Sequence, residues 1–211
     1  MTAPISPSRL TLVSLADCPP QPWRNGGGET RELLRWPDGD DWLVRVSVAD
    51  ITRDGPFSAF PGVQRWFAVL EGHGVVLGEA ADARTLTTRS APWPFDGASA
   101  PACALVQGAT RDLNLMLRPA PGEHGGAGMV RVEAAPAAPP VDAASTPATP
   151  RWRGIYTHTP LILHRSACEP ITLPAGSLAW AVDDASEWHA QATEPSAGQP
   201  TQPLAAWWLH Q

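Results

Sequence analysis

The sequence predicts an all-β protein, and three observations carry that prediction. Its apolar segments are short, 24 prolines and 18 glycines interrupt them at close intervals, and none sustains the periodicity of a long helix. The segments 42–48, 66–70, 74–77, 102–107 and 113–117 alternate or run apolar between Gly, Pro and Asp clusters, as strands of a sandwich or barrel do. Segments 161–164, 171–173 and 178–182 repeat that rhythm more weakly. The ending 205–209, with Trp207 and Trp208, reads as a final strand, because leaving both indoles in water would forfeit several kcal/mol of burial.

A chain of 211 residues makes one large or two small domains. Residues 134–150 are rich in Pro, Ala, Ser and Thr without periodicity, which predicts a stiff linker or long surface loop. The expected division is a first β-barrel half over residues 1–125 and a second, degenerate half over 126–211 that includes this loop.

The formal charge is −6 and all 15 basic residues are arginines, so no lysine is present for Schiff-base chemistry or for gripping a nucleotide phosphate. No basic stripe marks a nucleic-acid partner, and no Gly-X-Gly-X-X-Gly or phosphate loop occurs. No apolar run is long enough to span a membrane, and residues 1–20 lack a basic region followed by an apolar one. Cys18, Cys103 and Cys168 are too widely spaced for a disulfide framework, so inert thiols in a reducing cytoplasm are expected. Sheet edges that need covering make a homodimer an expected arrangement.

The most informative segment runs from Val48 to Gly74: a strand, a Pro61-Gly62 corner, a second strand, and a Gly72-His73-Gly74 hairpin. This layout resembles the metal-binding turn of cupins, which places two histidines and a glutamate ahead of the hairpin glycine. Under that resemblance the histidine positions fall on Ser58 and Phe60, and the glutamate position falls on Arg65. The histidine of the second cupin motif falls on Thr110, ahead of Asn114. A divalent metal needs imidazoles and carboxylates, whereas a guanidinium repels it, so neither metal nor other cofactor is expected.

More of the chain carries a closer resemblance. Residues 23–32 (Trp-Arg-Asn-Gly-Gly-Gly-Glu-Thr-Arg-Glu), 45–49, 54–58 with Gly62 and Arg65, and 70–72 with Gly74 form most of it. Phe95-Asp96-Gly97 and residues 112–116 complete the set. In this order they resemble the HutD/Ves family of the cupin superfamily, over residues 20–118 or thereabouts. The resemblance implies a bicupin of two jelly-roll-like barrels. It also implies an association with histidine utilisation or stress induction, through binding an intermediate such as urocanate or formylglutamate.

Strand alternation supplies a second, independent argument. Arg45 and Ser47 share one face of their strand and Val44, Val46 and Val48 the other; Asp112, Asn114 and Met116 share a face opposite Leu113, Leu115 and Leu117. Inside a barrel, these polar positions and Arg65 converge on a cavity; on the outside they would merely face water. In the cavity reading, Arg45 and Arg65 grip a planar carboxylate. Asn25, Ser47 and Asn114 then orient it, and Trp23, Phe60 and Met116 give apolar walls. Asp112 is either a counter-ion to Arg45 or Arg65 or a titratable group in the pocket.

Asn25-Gly26-Gly27-Gly28 is read as a tight turn, ahead of an anion-holding nest of amides. The histidines do not cluster: His73 falls at a hairpin tip, and His158, His164, His189 and His210 are scattered through the weaker half. No Gly-X-Ser-X-Gly elbow is present. The favoured expectation is therefore a non-metal cupin that binds a small carboxylate. The alternative is a metal-independent isomerase or hydrolase that uses Asp112.

Overall fold

The computed structural model describes residues 9–79, 82–118, 127–132, 151–194 and 204–211. The Pro/Ala-rich segment 134–150 lies outside the described residues. Among those residues the regular structure is β, with short 3-10 turns and no α-helix, so the all-β expectation holds.

In chain order the first nine strands are β1 (Thr11–Ser14), β2 (Pro20–Pro22), β3 (Gly28–Trp36), β4 (Val44–Ile51), β5 (Gly55–Pro56), β6 (Gln64–Glu71), β7 (Val75–Leu77), β8 (Arg84–Leu86) and β9 (Trp93–Asp96). The other nine are β10 (Ala102–Leu105), β11 (Thr110–Leu117), β12 (Gly128–Arg131), β13 (Trp152–Thr157), β14 (Leu161–Arg165), β15 (Ile171–Leu173), β16 (Ser177–Val182), β17 (Trp188–Ala192) and β18 (Ala206–His210).

The chain divides into two compact units, one formed by Leu15–Met129 and the other by the described residues of 1–14 and 130–211. Each unit is built on two sheets. The first holds a six-stranded sheet ordered β2-β3-β4-β11-β6-β9 and a four-stranded sheet ordered β5-β10-β7-β8. The second holds a five-stranded sheet ordered β1-β16-β13-β18-β12 and a three-stranded sheet ordered β15-β14-β17.

The expected first barrel over residues 1–125 differs from this at its N-terminus. Strand β1 pairs antiparallel with β16, Thr11 opposite Trp180 and Ser14 opposite Ser177, and so belongs to the second unit. The expected terminal strand forms as β18, whose Trp207 and Trp208 are buried while it pairs with β13. Two aromatic side chains withdrawn from water contribute several kcal/mol at about 25 cal/mol per Å².

The core of the first unit lies between its two sheets. Ile51, Phe67, Val69 and Phe95 from the larger sheet pack with Val75, Leu77, Leu86 and Cys103 from the smaller. The alternation that predicted these strands is preserved, with one qualification. Val44, Val46 and Val48 are buried, but so is Ser47 behind them. The polar face is therefore turned inward rather than to the outer surface, and that is what creates a site.

Candidate functional site

Antiparallel register sets the site out in rows across the six-stranded sheet, because residues opposite one another share a face. The outermost row reads Arg35, Arg45, Met116, Arg65, Phe95. The next reads Glu32, Ser47, Asn114, Phe67, Trp93, and behind it come Thr30, Ala49, Asp112 and Val69. The arginines thus stand together in the outermost row, and a cavity of about 690 Å³ opens over that end. This volume lies in the range of roughly 300–1,000 Å³ typical of small-molecule sites.

Arg65 dominates that cavity. It is 6% exposed; one terminal nitrogen donates to the Asn114 Oδ1 at 3.2 Å and the other to the Ser58 carbonyl at 3.3 Å. Its guanidinium carbon lies 4.8 Å from the Phe95 ring centre, 5.1 Å from that of Phe57 and 5.5 Å from that of Phe60. Ring faces attract a cation, so the three phenylalanines offset part of the cost of burying this charge, but they bring no negative charge to match it. Among the described residues no carboxylate pairs with Arg65, and its buried Nε has no hydrogen-bond partner. Burial, with the charge of Arg45 adding, pushes its pKa down to about 10, which still leaves it a cation at neutral pH.

Arg45 is arranged differently. Its Nε donates to Glu32 Oε2 at 2.5 Å, and a terminal nitrogen contacts the Met116 sulfur at 3.8 Å. Glu32 also accepts two hydrogen bonds from Arg35, at 3.0 and 2.9 Å. Burial works to raise the Glu32 pKa, but the hydrogen bonds and charges of the two arginines outweigh it and hold the carboxyl below its ordinary value. The charge of Arg45 is therefore already met within the protein, whereas that of Arg65 is not.

The turn at 25–28 closes one side. Asn25 Oδ1 accepts from the Gly27 amide at 3.0 Å, and the Gly26 amide donates to the Trp23 carbonyl at 3.0 Å. These amides are spent on the turn, so the turn reading stands and the anion nest does not. Gly28 is required by close approach, since a Cβ there would lie 2.3 Å from the Asp50 carbonyl oxygen. Gly97 serves the opposite wall: its carbonyl accepts from the Phe60 amide and its amide donates to the Val63 carbonyl. A Cβ on Gly97 would lie 2.6 Å from the Phe60 carbonyl oxygen, displacing the loop that holds Phe60 over Arg65.

A family model described as HutD matches residues 15–194. The chain belongs to the HutD family. It is 42% identical over 117 residues to an "uncharacterized 21.2 kDa protein in hutC 3′ region" of Pseudomonas putida, covering 53% of this chain and 60% of that protein. It is 44% identical over 99 residues to "Protein Ves" of Citrobacter koseri, covering 46% and 51% respectively. The chain thus spans little more than half the length of these curated relatives. The structure of HutD from Pseudomonas fluorescens SBW25 superposes with a TM-score of 0.72, at 23% identity over 96% of this chain and 98% of that one. This likeness and others to cupin-like structures establish the fold.

Within this HutD-family fold, eight of the nine residues expected at the site line the cavity: Trp23, Asn25, Arg45, Ser47, Phe60, Arg65, Asn114 and Met116. The ninth, Asp112, does not. It shares the face of Asn114 but lies one row deeper, fully buried, with Oδ2 accepting from the Thr110 hydroxyl at 2.8 Å and Oδ1 unpartnered. The expected ion pair of Asp112 with Arg45 or Arg65 is absent for a geometric reason. Both arginines face Met116, which is four residues, about 13 Å, further along the strand. Burial first, and the nearby charge of Asp50 next, push the Asp112 pKa up to about 8 against the opposing Thr110 hydrogen bond.

The positions that resemble cupin metal ligands present Ser58, Phe60, Arg65 and Thr110. Here they supply a backbone carbonyl, an aromatic wall, a buried cation and a hydroxyl already donated to Asp112. Such a donor set does not fit a divalent metal. Reading the sequence missed Glu32, the carboxylate that neutralises Arg45. It also missed Phe57 and Phe95, two of the three rings around Arg65, and Arg24 and Thr30 on the cavity wall. A Glu placed between arginines in Arg31-Glu32 and Arg35 was the one available signal for the first of these.

Proposed function

We propose that this chain binds a small carboxylate in the cavity of its first unit and acts as a metabolite-sensing or buffering protein in histidine utilisation. The observation that carries this reading is Arg65, a buried guanidinium at a cavity wall with rings and a carboxamide around it but, among the described residues, no carboxylate. A buried charge left uncompensated costs stability. A bound carboxylate offsets that cost, and a guanidinium suits it in geometry and charge. The P. putida relative's hutC-region description supports the metabolic setting. The P. fluorescens structure, described as a formate condition, makes formate a natural smallest probe. Binding is favoured over turnover because neither acid near the cavity is free to act on a ligand: Glu32 is held by Arg35 and Arg45, and Asp112, whose pKa is raised, lies beneath the lining.

The test is calorimetry and thermal shift with urocanate, formylglutamate and formate, on the wild type and on Arg65→Met. A ligand at about 100 times its Kd adds roughly 2.7 kcal/mol of stability. Losing the charged anchor raises Kd by about 30-fold or more, equivalent to some 2 kcal/mol. The unliganded variant is expected to be no less stable than wild type, since an uncompensated buried charge has been replaced by an apolar group of similar length. No binding of any acid to the wild type, or undiminished binding to Arg65→Met, overturns the reading.

A further inference from the structure

Two histidines that stand far apart in the sequence are brought together by the smaller sheet of the second unit. In the antiparallel pairing of β14 with β17, His164 lies directly opposite His189. Residues paired in this way share a face, with Cβ atoms about 5 Å apart. Leu161, Leu163 and Trp188 belong to the core of this unit, and Ala190 packs against it. The two imidazoles alternate with these residues and so occupy the outer face, where the His189 side chain is 53% exposed.

Oxygen donors flank the pair along β17. Glu187 and Gln191, two residues to either side of His189, share its face. Glu187 Oε2 lies 3.9 Å from His189 Nε2, and Gln191 Oε1 lies 3.0 Å from His164 Nε2. Arg165, next in sequence to His164, belongs to the opposite face and is paired with Asp184 at 3.1 Å. The outer face of these two strands thus carries two imidazoles and a carboxylate, without the guanidinium that would repel a cation.

We infer that the outer face of β14 and β17 binds a first-row divalent ion of the zinc, nickel or copper(II) class. His164 and His189 are its two imidazole ligands, and Glu187 is the carboxylate beside them. Imidazole suits these ions, and each ring nitrogen has to approach to about 2.0–2.1 Å, which rings rising from opposed Cβ atoms reach by side-chain rotation. Among the described residues no three such groups are already gathered around one point. His164 is turned to Gln191 and takes up the ion by exchanging that hydrogen bond for the metal. Backbone register sets the site and rotation of exposed side chains closes it. An ion held there ties β17, an edge strand of the three-stranded sheet, to β14. The site belongs to the second unit and does not depend on the carboxylate reading of the first.

Calorimetric titration of the untagged, metal-stripped full chain with zinc, nickel and copper(II) salts tests it. One equivalent that depends on both histidines is expected, with copper(II) bound most tightly. His164→Asn and His189→Asn each weaken it by about 100-fold or more, the advantage of two linked donors over one. Glu187→Gln weakens it less, and His73→Asn, in the first unit, leaves it unchanged. Thermal unfolding without metal is expected to be alike in all four variants, because the substituted side chains on this face are exposed. Added metal then raises the midpoint of the wild type but not of the two histidine variants. No binding at millimolar metal, or binding that survives either histidine substitution undiminished, overturns the site.

Discussion

The two units bury arginines and aspartates in opposite ways, and the contrast separates a structural ion cluster from a binding site. In the second unit, Asp184 sits between Arg153 at 3.5 Å and Arg165 at 3.1 Å. It also accepts from the Ser186 amide and the Trp188 indole N–H, while Trp188 stacks under Arg153 with 4.5 Å to the ring centre. Burial opposes ionisation of Asp184, but the Ser186 hydrogen bonds, Arg153 and Trp188 outweigh it and lower its pKa. In the first unit, Arg65 and Asp112 share the interior yet do not meet. Arg65 stays charged among rings, and Asp112 has its pKa raised to about 8 and is mainly neutral at pH 7. The closed cluster matches charge with charge; the open one leaves a cation without a carboxylate among the described residues, beside a cavity.

The largest expected effect is in the closed cluster. Asp184→Asn takes the acid from between two largely buried guanidiniums, and removing one partner of such an assembly costs about 3–5 kcal/mol. Urea unfolding read by tryptophan fluorescence measures it. A loss below about 1 kcal/mol would mean that contacts other than Asp184 satisfy the arginines, and the contrast with Arg65 would vanish.

Asp112→Asn is expected to do the reverse, with a smaller and pH-dependent effect. The folded-state pKa of Asp112 is raised to about 8 from an ordinary value of 3.8, so between those two pH values the folded state holds a proton that the unfolded state releases. Stability from this group is therefore greatest below about pH 4, declines as pH rises towards 8, and is level above that. Asparagine keeps an oxygen for the Thr110 hydroxyl and has no charge to bury. The variant should match wild type near pH 4 and exceed it by about 2–4 kcal/mol at pH 7–8. A pH-independent difference in urea midpoints would place Asp112 in a solvated or paired setting instead.

These contrasts also show what was legible in the sequence. The cavity face of β4, β6 and β11 could be read because alternation with period two needs no tertiary information: once Arg65 is inside, Phe67 is too, and once Asn114 is inside, so are Asp112 and Met116. Depth along the strand is not encoded that way. Hence Asp112 was placed on the right face and given the wrong neighbours. Glu32 escaped because the register of β3 against β4 shifts between Glu32 and Leu34, which breaks the alternation that would have placed it. The rings around Arg65 come from three separate places in the chain, β9 and two points of the loop before β6, and their convergence is a tertiary fact. Nothing local marks β1 as a strand of the second unit, since its partner β16 lies at the far end of the sequence.

The smallest expected effect is the most diagnostic for the open site: whether the phenylalanines hold the Arg65 charge or merely pack beside it. Phe95→Leu removes the ring nearest the guanidinium and also a stacked contact with Trp93 at 5.1 Å, so its total cost mixes both. Combining it with Arg65→Met separates them. Packing loss is common to both backgrounds, whereas the cation–ring attraction exists only where the arginine is present. The leucine change is expected to cost about 0.5–2 kcal/mol more with Arg65 in place than with methionine there. A coupling of zero in urea unfolding would reduce the rings to walls. Arg65 would then lack any compensation beyond one carboxamide and one carbonyl, which would make the case for a bound anion in the working protein stronger and the account of how the empty site tolerates its charge wrong.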